Sequence, residues 1–236
     1  MIIEKPSNLQ LVRPAVIIDI PFEPLPKFPL PQKSGYCIAI VGRAGSGKTS
    51  TLLSLVKSKE AYKKRFHKII SVIPTSSLNS LKVNPLKDLQ DNQKFDSLTY
   101  ETLEDIIEQV EENREDDLLT LLLLDDVSAE LQDPGLLKLM MRLYLNRRHL
   151  KLSIMSIAHS LTGKGALPYT IRKNCSHLIL FKPSSGMNVL NDEYLHLTKD
   201  RFRELTNFVY QKPHDHLMID LSNNRMYKNF NSLSIT

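Results

Sequence analysis

Residues 42–49, Gly-Arg-Ala-Gly-Ser-Gly-Lys-Thr, satisfy the pattern G-x-x-x-x-G-K-[ST] at every fixed position. The glycines let a backbone wrap with its N–H groups turned inward, and a helix starting near Lys48 adds the positive end of its dipole. That is chemistry for a phosphate chain. Lys48 is expected to bridge β- and γ-phosphate oxygens and the Thr49 hydroxyl to ligate Mg²⁺. The binding segment takes in Gly42, Arg43, Ala44, Gly45, Ser46, Gly47, Lys48, Thr49 and Ser50. Such a site also needs an acid at the end of a nearby buried strand. Four consecutive leucines, 121–124, run into Asp125 and Asp126. Asp125 is the expected Mg²⁺ carboxylate, and a second carboxylate at Asp126 can orient and polarise an attacking water, which marks a hydrolase more than a kinase. Asp126 is shorter than the Glu commonly found in that role, so a looser or relayed contact with water is expected. Asp126-Val127-Ser128-Ala129 is not D-x-x-G, and Thr198-Lys199-Asp200-Arg201 misplaces the acid of [NT]-K-x-D, so ATP is favoured over GTP.

The elements that must position these groups follow from apolar periodicity. Strands are predicted over 36–41, 68–73, 118–124, 152–158 and 177–181, each a short apolar run. Helices are predicted over 48–58, through the acidic segment where Leu103, Ile106, Ile107 and Val110 recur at helical spacing, over 134–148 behind an Asp133-Pro134 start, over 168–174 and over 191–205. Residues 208–210, 217–221 and 226–230 read as further strands, the last two joined by a turn at 222–225. Residues 74–97 show no clear period. Repeated strand–helix alternation predicts an α/β fold, a mostly parallel sheet with helices on both faces and a C-terminal β-hairpin; taken with the phosphate loop and the double Asp, it resembles the P-loop NTPase fold with a RecA/ASCE-type sheet.

The 236 residues suit one globular domain whose burial needs neither disulfides nor structural metal. Cys37 and Cys175 are expected to be free core thiols in a reducing compartment. No run approaches the roughly 20 apolar residues of a membrane span, and no secretory signal is expected from Met-Ile-Ile-Glu-Lys-Pro. Seven of the 13 prolines lie before residue 32, so residues 1–35 are expected to form an extended arm with enough apolar content to dock, and 36–236 the ATPase domain. Residues 101–117 hold nine acids against one base, a net −8, which leaves +13 on the rest of a chain whose total is +5. A basic body fits a polyanionic partner. The basic run Lys57, Lys59, Lys63, Lys64, Arg65 reads as a solvated helix end, and His214-Asp215-His216 lacks a third ligand for a metal.

Beyond the phosphate loop and the double Asp, the order Arg147-Arg148-His149, Leu152–Ser160, Pro168–Asn174 and Leu178–Phe181 resembles the FtsK/HerA-superfamily genome-packaging ATPases of poxvirus-like large DNA viruses, virophages and Maverick-type elements. The likeness runs over residues 36–232 and includes a closing hairpin. It implies a ring, expected to be hexameric, that pumps double-stranded DNA without sequence specificity into a preformed capsid or its portal vertex. The place of work would be the host cytoplasm in a virus factory, with association with the virion as a further option. It implies that Lys48 and Thr49 are the phosphate-loop pair and Asp125 and Asp126 the metal and water-positioning acids. It also implies that Arg147 or Arg148 is an arginine reaching a neighbour's γ-phosphate. At His159 relatives usually carry a sensor Gln; a neutral imidazole can donate one hydrogen bond in its place, and the alternative is a histidine that ends a strand. Arg172 fits either sensing or pairing with acids. Two rivals to a motor remain: a nucleotide-gated DNA- or capsid-binding adaptor without motor activity, and a P-loop small-molecule phosphotransferase, against which Asp126 argues for water as acceptor.

Overall fold

The computed structural model describes residues 20–79, 84–163, 165–182 and 185–234. Uninterrupted apolar runs cannot leave one face in water, and they form the sheet's centre: β1 (Cys37–Val41), β4 (Thr120–Leu124), β5 (Leu152–Ala158) and β6 (His177–Phe181) are buried along their whole length. With β2 (Lys68–Val72), β3 (Lys94–Phe95), β7 (His216–Asp220), β8 (Arg225–Lys228) and β9 (Asn231–Leu233) they build a sheet ordered β3-β2-β4-β5-β1-β6-β7-β8-β9. The first six strands in that order are parallel, and β7, β8 and β9 are antiparallel.

Strand alternation divides the core between the two faces. Ala39, Val41, Leu122, Leu124 and Ile154 face a layer containing α3 (Tyr100–Glu115), α4 (Pro134–Asn146) and α7 (Lys199–Val209). Ile38, Ile40, Leu121, Leu123, Ile157 and Phe181 face α1 (Lys48–Lys57) and Tyr62. Asp133 caps α4 by accepting from the N–H groups of Gly135 (2.9 Å) and Leu136 (2.8 Å), with Pro134 in its first turn. Residues 20–35 pack on the α1 side: Phe22 is buried against Tyr36, Tyr62 and Phe66, and Arg65 holds the carbonyls of Pro24 and Leu25. Arg65, read from sequence as part of a solvated helix end, is therefore buried. Residues 1–19 of the predicted arm lie outside the described residues.

β5 and β6 match their predicted ranges, and the other strands differ at their ends by a residue or two. Three expectations need correction. The helix predicted over 191–205 is broken: a π-helical turn, Asn191–Leu195, ends where His196 takes φ 52°, and α7 restarts behind Thr198, whose hydroxyl caps Arg201. The strand predicted over 208–210 is the end of α7, because Val209 falls four residues after Leu205 on the same buried stripe. A further strand, β9, follows the predicted hairpin through a tight turn at Asn229 and Phe230, both at positive φ. Segment 74–97 contains a short helix, α2 (Thr75–Asn79), and β3. Cys37 and Cys175 are free and buried, as expected.

Candidate active site

A parallel sheet gathers the C-terminal ends of its strands at one edge, and β1, β4 and β5 are neighbours there. β5 lies between the phosphate-loop strand and the acid-bearing strand, so all three predicted groups meet. The loop after β1 is pinned on entry, where Gly42 N–H donates to the carbonyl of Ala158 at 3.1 Å, one residue before His159. A Cβ at Gly42 would lie 2.7 Å from both Phe181 Cβ and Ser46 Oγ, so the close turn requires glycine. Gly47 caps α1 at φ 102°, a left-handed conformation that aims the helix's first N–H groups into the loop.

Inside this frame the Thr49 hydroxyl donates to Asp125 Oδ2 at 3.0 Å. The Lys48 ammonium folds across the loop to the carbonyl of Arg43 at 3.0 Å. Asp126 turns off the strand at φ 59°, leaving its carboxylate exposed, and Oδ1 lies 3.2 Å from His159 Nε2. The two acids thus have different surroundings. Burial pushes the Asp125 carboxyl above the usual carboxylate range, assisted by the Asp126 charge and opposed by the Thr49 hydrogen bond. Burial also lowers the Lys48 ammonium, with the two aspartates opposing that shift. The Asp125–Lys48 neighbourhood holds opposite charges under desolvation, a state that a divalent cation and a polyphosphate would relieve.

The residues fit a magnesium nucleotide. Ser46 Oγ is buried without a hydrogen-bond partner, Gly45 has open space where a Cβ would be, and Thr49 presents a hydroxyl beside a carboxylate, the oxygen donors that Mg²⁺ takes. Among the described residues no group of three or more His, Cys, Asp or Glu could hold a metal ion.

Arg147 and Arg148 stand elsewhere, after α4 and before β5, at the opposite edge of the sheet. Sequence left the choice between them open; their surroundings differ. Arg147 is committed within its own chain, donating from Nε to the Gly35 carbonyl (3.0 Å) and from Nη1 to that of Tyr144 (2.5 Å). Arg148 is exposed. Arg172 is buried and pairs with Glu193 at 3.0 Å while Nε donates to the Leu167 carbonyl, which is the acid-pairing alternative. Sequence reasoning missed His214 at the phosphate loop: its Nδ1 lies 2.9 Å from the carbonyl of Ser46, across 168 residues. No local pattern announces such a contact.

The fold and this constellation define a P-loop ATPase. Residues 30–220 match the poxvirus A32 protein family, and the chain belongs to that family. Solved structures with the same fold include the genome packaging NTPase B204 of Sulfolobus turreted icosahedral virus 2 in complex with ATP-gammaS. At 13% identity it covers 86% of this chain and 98% of that one, with a TM-score of 0.56. EssC (ATPases 2 and 3) from Geobacillus thermodenitrificans aligns over 97% of this chain and 48% of that chain at 16% identity and TM-score 0.56. The cytoplasmic domain of the type VII secretion ATPase EccC from Thermomonospora curvata aligns over 99% and 31% at 14% identity, also at 0.56. No curated protein sequence matches the chain. Among the described residues no helix is long and apolar enough to cross a membrane.

Proposed function

We propose that this chain hydrolyses ATP with Mg²⁺ to drive double-stranded DNA into a preformed viral capsid, working as a homo-oligomeric ring, a hexamer by the sequence resemblance, in the cytoplasm of an infected cell. Membership of the poxvirus A32 protein family supports the reading, as does the shared fold of a protein described as a genome packaging NTPase. The single observation that carries the hydrolytic part is the division of labour between adjacent acids: Asp125 buried on the Thr49 hydroxyl, Asp126 exposed beside His159.

Bound Mg²⁺ supplies charge neutralisation on the phosphate oxygens. The remaining work falls to side chains. Thr49 and Asp125 would hold the ion, and the loop N–H groups with Lys48 would hold the phosphates. Asp126, held in direction by His159, would orient a water and accept its proton. His159 Nε2, if it carries the proton, keeps that carboxylate aligned and can shift toward a phosphate oxygen, which gives the sensor role a geometric basis. Arg148, on the far edge, would act on the site of a neighbouring copy, so that hydrolysis requires a seated neighbour. The basic body would face DNA phosphates without reading bases.

The test is ATP turnover with and without duplex DNA of unrelated sequences, alongside particle mass. Stimulation by any duplex, falling steeply with added salt, is expected of a ring-sized particle. Equal turnover with and without DNA in a demonstrably oligomeric preparation would refute the motor reading.

A further inference from the structure

Two nucleophilic side chains play no part in the site above, and they are the chain's two cysteines: Cys37, the first residue of β1, and Cys175, two residues before β6. Separated by 138 residues of sequence, their sulfurs lie 3.3 Å apart, with the Cys37 thiol donating to the Cys175 sulfur. The main chain on both sides of the pair is clamped. The Ser176 hydroxyl accepts from the Cys37 N–H at 3.0 Å and donates to the Cys37 carbonyl at 2.9 Å, and the Ser176 N–H reaches the same carbonyl at 2.9 Å. The Cys175 N–H donates to the Arg172 carbonyl at 3.2 Å. Going from this separation to the roughly 2.0 Å of a disulfide is a closure of about 1.3 Å, which two side-chain rotations share. Among the described residues no third His, Cys, Asp or Glu joins the pair as a metal site.

The two thiols differ in access. Cys37 is fully buried, and burial, with the neighbouring thiol adding to it and the Arg147 charge opposing it, pushes its thiol well above the ordinary range. Cys175 is 6% exposed and forms part of the wall of a surface cleft of about 380 Å³, beside Lys173, Asn174 and Tyr194. A small oxidant entering that cleft meets the Cys175 sulfur, with Cys37 directly behind it.

We propose that the pair is a peroxide-reactive dithiol, in which Cys175 is the thiol attacked from the cleft and Cys37 resolves the product into a reversible disulfide within the chain. Cys175 gives its proton to solvent and its sulfur attacks one peroxide oxygen: an S–O bond forms, the O–O bond breaks, and the departing hydroxide takes up a proton as water. The Cys37 sulfur then attacks the sulfenic sulfur, the S–S bond forms, the S–O bond breaks, and the hydroxyl leaves with the Cys37 proton as a second water. Two electrons pass from the thiols to the peroxide. The bridge would enclose Gly42 to His159, and so the phosphate loop and both acids, in one covalent loop that restricts their unfolding. The resting state in a reducing compartment is the dithiol, and the bond is a transient response to peroxide.

The experiment adds hydrogen peroxide to the full chain, then measures intact mass and titrates thiols in denaturant. Wild type is expected to become lighter by two hydrogen atoms, to lose both titratable thiols, and to recover both on addition of dithiothreitol. At the same dose Cys37→Ala is expected to leave Cys175 as a sulfenic acid that dimedone captures, and Cys175→Ala to leave Cys37 an unmodified thiol. Should either variant fail to fold, the wild-type result decides alone. Both thiols intact at a dose that oxidises the unfolded chain would overturn the proposal. So would Cys175 carried to a sulfinic acid while Cys37 stays reduced, or a disulfide formed between copies in place of one within the chain.

Discussion

The two edges of the parallel sheet are built from the same strands yet do opposite things with their charged groups. At the C-terminal edge, Thr49, Asp125, Asp126 and His159 come from three different strand ends and touch in pairs, leaving the Asp126 carboxylate open to solvent. At the N-terminal edge Arg147 is consumed by the fold, with its guanidinium holding the start of β1 through Gly35 and the end of α4 through Tyr144. Arg148, one residue on, is exposed. The difference is that the C-terminal edge gathers the phosphate loop, two acids and His159 at one place, while both arginines lie at the other edge. Under the proposed function an arginine placed at that edge would serve the site of a neighbouring copy.

The comparison can be broken at several points, beginning with the largest effect. Lys48→Ala should abolish measurable nucleotide binding by equilibrium dialysis. Arg148→Ala should cut turnover by about a thousandfold in homogeneous rings, the scale of an arginine supplied in trans, and mixing with subunits that keep Arg148 but carry a dead phosphate loop should restore part of it. Rescue by no partner would move the trans cation elsewhere. Arg147→Ala should act differently, lowering thermal stability by about 1–3 kcal/mol for two lost charged hydrogen bonds. Its turnover at low temperature should stay near wild type. His159→Ala should reduce turnover by roughly tenfold, at the lower end for a positioning contact, with His159→Gln keeping most of the activity because an amide can still donate to Asp126.

The smallest effect concerns pH. Burial raises the folded-state pKa of Asp125, so the fold retains this proton at pH values where the unfolded chain has released it. The stability contributed by the neutral form is present below the ordinary carboxylate range and is lost as pH rises through the raised value. Without nucleotide, Asp125→Asn should therefore raise the melting temperature at neutral pH by a few degrees, about 1 kcal/mol for a domain of this size. The gain should vanish below the ordinary Asp pKa. Added Mg·ATP should reverse the order, since only the carboxylate binds the ion well.

Much of the C-terminal edge was legible in the sequence because its signals are local. A glycine-spaced loop and a leucine run ending in two acids each state their structure within ten residues, and β5 and β6 are continuous apolar runs with nothing to confuse their ends. What escaped depends on contacts between distant segments. Arg65 looked like one more solvated cation because nothing near it shows that the carbonyls of Pro24 and Leu25, some 40 residues earlier, would need it. His214 was set aside as a poor metal ligand, while its partner is a backbone carbonyl in the phosphate loop. Phe208 and Val209 have strand-forming side chains, and the α7 stripe through Leu205 overrode that preference. Adjacent identical residues gave no means of telling Arg147 from Arg148; the fold gives Arg147 bonds to the Gly35 and Tyr144 carbonyls and leaves Arg148 exposed.

The most direct measurement is single-turnover hydrolysis by Asp126→Asn protein, with equilibrium binding of Mg·ATP measured on the same sample. Binding within about threefold of wild type together with hydrolysis slowed by at least a hundredfold is predicted, the loss expected when a positioned base is removed. Wild-type turnover by that variant would contradict the assignment of Asp126 to water, and with it the account of this edge as a hydrolytic centre.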